Sequence, residues 1–290
     1  MNVEILRRRA EIVRVLRAFF DARGFLEVET PVRIAAPAPE CHIDCPPVAT
    51  GGFLRASPEL QMKKLLAQDG IDRIYQLGPC FRDGERGARH NPEFTMLEWY
   101  RKGATDRDIA DDLTALLQTL CASAPLRENA SSPREMKTLT VRDAYRTYAG
   151  WDPWTDWDAD RFDVDMATKI EPAIKALGGG VFLAGYPPAC ASLATVADGV
   201  AARWEFYWDG MELANCFTEL CDADEQRRRF AAARAERRAL GEADYPLDED
   251  FFAALPKIGS AAGVALGVDR LVMVLTGAPT IAAVRGEGMI

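Results

Sequence analysis

No stretch of the chain approaches the ~18 consecutive apolar residues that a membrane-spanning helix requires, so a helical membrane protein is excluded. The amino terminus has three consecutive arginines, Arg7, Arg8 and Arg9, but no apolar run follows them. A secretory leader is therefore not expected, and a cytoplasmic location is. An excess of basic residues is missing too: 35 Lys and Arg stand against 44 Asp and Glu, a net charge of −9. A surface that coats a nucleic-acid backbone along its length needs the opposite balance, although a local basic patch and a basic protein partner both remain compatible. There is no internal repeat and no low-complexity tract. The seven cysteines are odd in number and scattered through apolar sequence, as expected of buried free thiols in a reducing compartment. Cys41, His42 and Cys45 offer three zinc donors, but no second cluster completes a four-ligand site. What is present is a globular composition, 48% hydrophobic and 27% charged, over 290 residues. That length suits one large domain or two small ones.

Apolar residues recur at helical spacing over residues 3–23, ahead of Gly24 as a C-cap, and residues 25–32 read as a strand stopped by Pro31. A short helix is expected over 59–67, a long hairpin from 74–82 and 94–101, and an amphipathic helix over 106–121. Residues 122–180 are weakly patterned and read as an inserted helical lobe between two strand-rich halves. Strands at 204–208 and 211–220 flank Asp209-Gly210, a dipeptide suited to the positive φ of a tight hairpin turn. Asp222 followed by Glu225 opens a charged helix that runs to about Leu240 and stops at Gly241. A glycine-spaced strand over 263–267 feeds a helix beginning near Asp269. Hairpins with few βαβ units predict an α+β architecture, an antiparallel sheet flanked by helices.

Two segments concentrate chemistry. In the first hairpin, alternation places Phe94, Met96, Glu98 and Tyr100 on one face, which suits stacking a flat ring beside an amine. Arg82 closes the opposing strand, and the loop holds Arg86, Arg89 and His90, all suited to polyphosphate. On composition alone, a core aromatic beside a solvated charged loop explains the same pattern. The second segment is Glu212-Leu213-Ala214-Asn215-Cys216-Phe217-Thr218-Glu219, whose two carboxylates and amide suit Mg²⁺. Glu212 and Glu219 lie an odd number of residues apart, so a regular strand sends them to opposite faces. A bulge near Asn215 realigns them, as helical spacing also would; the preceding turn favours the bulged strand.

The run from Phe81 to Tyr100, with His90-Asn91-Pro92-Glu93-Phe94-Thr95-Met96 within it, resembles motif 2 of the class II aminoacyl-tRNA synthetases, in their lysyl branch. Gly24 to Pro31 resembles motif 1, and Gly263-Val264-Ala265-Leu266-Gly267-Val268-Asp269-Arg270-Leu271 resembles motif 3. The resemblance implies a class II catalytic core as a single domain over 1–290, with a variable helical insertion over about 104–180. It also implies ATP as substrate. Arg82 would hold the α-phosphate and the amino-acid carboxylate, Arg270 the γ-phosphate and Phe94 the adenine, with Asp83, Gly84, His90, Asn91, Glu212, Leu213 and Gly267 also at the nucleotide. Ser57, Pro58 and Glu59 would grip the substrate α-amino group, and Glu98 and Tyr100 would read a side-chain ammonium. Asn215, Glu219 and Ala265 complete the amino-acid pocket, and Glu212 with Glu219 would carry Mg²⁺. A buried cationic side chain demands carboxylates, so the four acids Glu59, Glu98, Glu212 and Glu219 favour a diamino acid.

Within that branch the chain looks most like the elongation factor P lysine ligase family. The motif 1 helix begins almost at Met1, so no anticodon-binding barrel and no anticodon reading are expected. Ala265 stands where lysyl-tRNA synthetases have glycine, which in that family goes with acceptance of (R)-β-lysine. The implied reaction joins lysine or β-lysine to ATP as an aminoacyl-adenylate and passes the acyl group to a lysine ε-amine of elongation factor P. A homodimer is implied by motif 1. One departure stands out: relatives carry Arg-Asn-Glu where this chain has Arg82-Asp83-Gly84, with Glu85 placed to substitute. The alternatives are a truncated synthetase paralogue that charges tRNA or another amine, and a catalytically silent regulatory module.

Overall fold

The computed structural model describes residues 3–123 and 136–285. Helix α1 (Val3–Asp21) buries Ile12, Leu16, Phe19 and Phe20 and ends where Gly24 takes φ +71°. The reversal brings Phe20 against Phe25, Tyr75 and Trp99. Removing such a fully buried ring costs about 3–5 kcal/mol, so this cluster anchors α1 on the sheet. The strand that follows is shorter than expected: β1 spans only Leu26–Glu27, parallel to β4 (Arg73–Phe81). Side chains replace the ladder beyond it. The Thr30 N–H donates to Gln76 Oε1 at 2.9 Å, and the buried Arg55 donates to the Thr30 and Pro31 carbonyls, so the chain to Pro31 is pinned without being a strand.

A small ribbon, β2 (Arg33–Ile34) with β3 (Phe53–Leu54), leads to α2 (Glu59–Leu66). β4 then pairs antiparallel with β5 (Glu93–Lys102), the long hairpin expected, and α3 (Asp106–Ser123) packs five buried apolar residues from Ile109 to Leu120. Of the interval read as a helical insertion, residues 124–135 lie outside the described residues. Its next segment is a strand, β6 (Met136–Thr140), parallel to β7 (Gly180–Tyr186) at the end of the sheet. Helical turns α4 (Val141–Ala144), α5 (Ala159–Asp165) and α6 (Glu171–Leu177) fill the remainder around Tyr145, Trp151 and Phe162. This strand lies at the sheet edge with no buried stripe, so periodicity does not mark it.

The two-residue strand β8 (Val196–Ala197) pairs with β9 (Val200–Trp208). β9 turns through Asp209 (φ +49°) and Gly210 (φ +74°) into β10 (Met211–Thr218), the tight turn the dipeptide predicted. Helix α7 (Ala223–Leu240) is capped by Asp222, which accepts from the Asp224 and Glu225 N–H groups, and it closes at Gly241 with φ +78°. Helix α8 (Glu249–Ile258) was not anticipated; its apolar face packs on α2. β11 (Ala261–Gly267) runs into α9 (Val268–Thr276), and α10 (Ile281–Arg285) follows. The main sheet has the order β1-β4-β5-β11-β10-β9-β7-β6, antiparallel except at its two ends, with helices against it. The α+β expectation holds. Among the described residues no helix is long and apolar enough to cross a membrane.

Candidate active site

The centre of the sheet forms the floor of a cleft of about 420 Å³, within the ~300–1,000 Å³ usual for a small-molecule site. One register row crosses five strands: Glu205 on β9, Asn215 on β10, Ala265 on β11, Glu98 on β5 and Gln76 on β4. The neighbouring row places Phe217 beside Gly263 and Gly263 beside Tyr100. A Cβ on Gly263 would overlap the Tyr100 ring, so only glycine lets that ring lie flat on the floor. The bulge expected near Asn215 falls slightly earlier, where the register shifts between Glu212 and Ala214. Leu213 is the extra residue. Its insertion brings Glu212 onto the face that carries Asn215, Phe217 and Glu219, all of which line the cleft.

One part of the cleft is acidic. Ser57 Oγ accepts the Glu59 N–H at 2.9 Å and donates to Glu98 at 2.7 Å, while the Tyr100 hydroxyl donates to the other Glu98 oxygen at 2.8 Å. Glu98 is fully buried and lies just behind the lining formed by Ser57, Glu59 and Tyr100. Burial, reinforced by the Glu59 charge, pushes its carboxyl up to about 7 against those two hydrogen bonds. Lys63, one helical turn after Glu59, bonds Glu59 at 2.6 Å and ion-pairs with Glu219. Burial alone would lower the Lys63 pKa; Glu219 and Glu59 more than reverse this, and the ammonium persists. Glu219 is raised by burial, despite Lys63, with Glu59 and Glu98 adding to the rise. Its Oε1 has no hydrogen-bond partner. Glu40, which the sequence did not single out, lines the same region and is raised by burial and Glu59. One ammonium therefore faces several carboxylates, a deficit of positive charge that a cationic ligand would fill.

The other part is rich in arginine. Arg82 leans its guanidinium over the Phe94 ring at 5.2 Å and approaches Glu85 at 3.5 Å; its Nε is buried without a partner. Arg270 donates to the Glu212 carbonyl at 3.1 Å and to its carboxylate at 3.2 Å, and meets His90 Nε2 at 2.6 Å. Burial and the Arg270 charge lower the His90 pKa, so a neutral ring accepts from the guanidinium. Asn91, Phe94, Leu213 and Gly267 also line the cleft. Asp83 and Gly84 do not: both are exposed, and Asp83 turns back to bond the Gly84 N–H. Glu85 is in the lining instead. Pro58 is likewise absent from the lining and sits at the N-cap position of α2.

Glu212 and Glu219, expected to share a cation, sit in different surroundings. Glu219 is committed to Lys63, whereas Glu212 faces Glu205 and Arg270. Burial and the Glu205 charge push the Glu212 carboxyl up, although 40% of its side chain stays open to the cleft and water screens part of that effect. Glu205 is held by Arg203 at 2.6 Å and by the Tyr207 hydroxyl at 2.7 Å. Arg203 and Glu205 alternate on β9, which was the available signal; the bulge hid which residue of β10 they oppose. Among the described residues no group of three or more metal-ligating side chains occurs. Mg²⁺ commonly takes one or two carboxylates and completes its octahedron with phosphate and water, and Glu212 and Glu205 are carboxylates that line the arginine-rich part of the cleft. Cys41 bonds Glu236, and Cys45 is buried beside Tyr245.

The profile of the family described as tRNA synthetases class II (D, K and N) matches residues 2–286. The elongation factor P–(R)-β-lysine ligase of Proteus mirabilis is 38% identical across 98% of this chain and 94% of its own length. The protein of that name from Vibrio cholerae is also 38% identical, across 95% of this chain and 92% of its own. A third, from Pectobacterium atrosepticum, is 38% identical across 94% and 91%.

Proposed function

Because the chain belongs to the class II tRNA synthetase family (D, K and N), and with the elongation factor P–(R)-β-lysine ligases within it, we propose that it ligates (R)-β-lysine or lysine to elongation factor P at the expense of ATP. The observation that carries the reading is the pairing, in one cleft, of an unpartnered arginine nitrogen at Arg82 with an unpartnered carboxylate oxygen at Glu219. An amino acid with a second amine supplies a carboxylate for the first and an ammonium for the second.

In the first step a carboxylate oxygen attacks the α-phosphorus of ATP, the bond from that phosphorus to the bridging oxygen breaks, and pyrophosphate leaves. Arg82 bears the charge that grows on the α-phosphoryl oxygens, Arg270 faces the terminal phosphate, and Phe94 stacks on the base. Glu59, Glu219 and, through Ser57 and Tyr100, Glu98 hold the ammonium so that the carboxylate points at Arg82. In the second step a lysine ε-amine of the acceptor attacks the acyl carbon, the bond to the AMP oxygen breaks, and an amide forms as the nitrogen loses its proton. No side-chain nucleophile is required. Mg²⁺, held by Glu212 and Glu205, would neutralise polyphosphate charge. The Asp83-Gly84 departure lies outside the cleft lining, which supports an active enzyme over a silent module. Dimerisation through the motif 1 region belongs to the same proposal.

Pyrophosphate exchange tests the first step. ATP-dependent exchange driven by (R)-β-lysine or lysine is expected; a chain that exchanges with neither is not this enzyme.

A further inference from the structure

The wall assigned to ATP is clamped from behind by Arg9 and Arg285, which do not line the cleft. Asp269 precedes Arg270 at the start of α9, and its side chain is 2% exposed. It accepts from Arg9 of α1 at 2.5 Å, from the Thr95 N–H of β5 at 2.8 Å and from Arg285 of α10 at 3.2 Å. Arg9 also donates to the Thr95 hydroxyl at 2.8 Å, and Arg285 to Glu93 at 2.6 Å. Both neighbours of Phe94 are thus fixed by the same pair of arginines. One helical turn earlier in α10, the Ile281 N–H donates to the Ala88 carbonyl at 2.8 Å, tying the loop that carries Arg89 and His90.

We propose that α10 is a latch for the nucleotide half of the site, with Arg285 and Arg9 as positioning residues. They act through Asp269 on Arg270, and through Glu93 and Thr95 on Phe94. The inference rests on the ATP reading above and adds a selectivity that reading does not contain. The bonds of the latch converge on the segments that carry Phe94, His90 and Arg270. None of them reaches Glu59, Lys63, Glu98 or Glu219, so its loss should be felt by ATP and not by the amino acid. Arg285 is the place to probe it, because Asp269 keeps Arg9 and the Thr95 amide when Arg285 is neutralised. The buried carboxylate is then not orphaned.

The experiment is pyrophosphate exchange by the full chain, with KM measured separately for ATP and for (R)-β-lysine in Arg285→Gln, Arg285→Lys and Glu93→Gln. Arg285→Gln should raise the ATP KM about tenfold and move the amino-acid KM by less than about twofold, a split that separates lost positioning from general damage. Arg285→Lys should recover part of the loss, and Glu93→Gln should move the ATP KM in the same direction by less. Glu93→Gln carries the test alone if Arg285→Gln does not fold. An unmoved ATP KM, or parallel rises in both constants, overturns the latch while the parent chain still exchanges. A parent chain that supports no exchange overturns the adenylate reading and the latch with it.

Discussion

Glu98→Gln should make the empty protein more stable at neutral to alkaline pH while weakening its grip on a diamino acid. Glu98 is fully buried, and its carboxyl rises from the ordinary 4.5 to about 7 because of burial and the Glu59 charge. A carboxyl whose folded pKa is raised binds more protons in the fold than in the unfolded chain between those two values. Stability therefore falls as pH rises from 4.5 to 7 and stays low above that. At about 1.4 kcal/mol per pH step, ionising Glu98 costs the fold about 3 kcal/mol. Glutamine removes that cost but sets an N–H₂ against one of two hydroxyl donors, Ser57 or Tyr100, for a loss of about 1 kcal/mol. The net expectation at pH 8 is a gain of about 2 kcal/mol, or a Tm higher by about 4 °C in a chain of this size. At pH 4.5 the order reverses, since only the lost hydrogen bond remains.

Binding moves the other way. An ammonium seated on the order of 6 Å from the Glu98 carboxylate, in surroundings of effective dielectric about 20, gains about 3 kcal/mol from it. Its removal should raise the KM for lysine and (R)-β-lysine on the order of a hundredfold, with the ATP KM little changed. Thermal unfolding without ligand from pH 4.5 to 8, together with exchange kinetics, gives both signs. Superimposable pH–stability curves for the parent and Glu98→Gln, or an unchanged amino-acid KM, would refute the argument.

Glu205→Gln and Glu219→Gln should separate the two carboxylate groups: the first raises the Mg²⁺ concentration for half-maximal exchange about tenfold, and the second raises the amino-acid KM instead. Identical effects of the two on Mg²⁺ would show that Glu219 is a metal ligand after all. Ala265→Gly removes a methyl from the floor between Asn215 and Glu98; the ratio of kcat/KM for lysine over (R)-β-lysine should rise about tenfold, the lower end of what one methyl group is worth. An unmoved ratio removes Ala265 from the specificity pocket. Gly263→Ala drives a methyl into the Tyr100 ring; a stability loss of about 1–3 kcal/mol in denaturant titrations is expected, with a raised amino-acid KM. Arg82→Ala should lower kcat for exchange on the order of a hundredfold or more, as the loss of a charge-stabilising donor does, with folding unaffected by circular dichroism.

Much of this site was legible from spacing. Alternation on β5 put Phe94, Met96, Glu98 and Tyr100 on the cleft side, and the Asp209-Gly210 turn fixed the β9–β10 hairpin. The parity conflict between Glu212 and Glu219 favoured a bulge over helical spacing, and a bulge exists two residues from the place expected. Two classes of information were not available in the chain order. Partners supplied by distant segments, such as Lys63 for Glu219, depend on how α2 is laid across the sheet. That Glu205 and Glu212 share a face depends on which single residue is extruded at the bulge, and period-two patterns do not encode that. The shortened β1 has a similar origin: Arg55 and Gln76 substitute side-chain hydrogen bonds for a ladder that residues 25–32 appeared able to make.

Transfer of an activated diamino acid to a protein amine is tested directly by intact-mass analysis of elongation factor P. Incubated with the chain, ATP, Mg²⁺ and (R)-β-lysine, the acceptor should gain one β-lysyl group at a lysine side chain, and omission of ATP should abolish the gain. An unmodified acceptor, alongside acylation of bulk tRNA by the same preparation, would contradict the account.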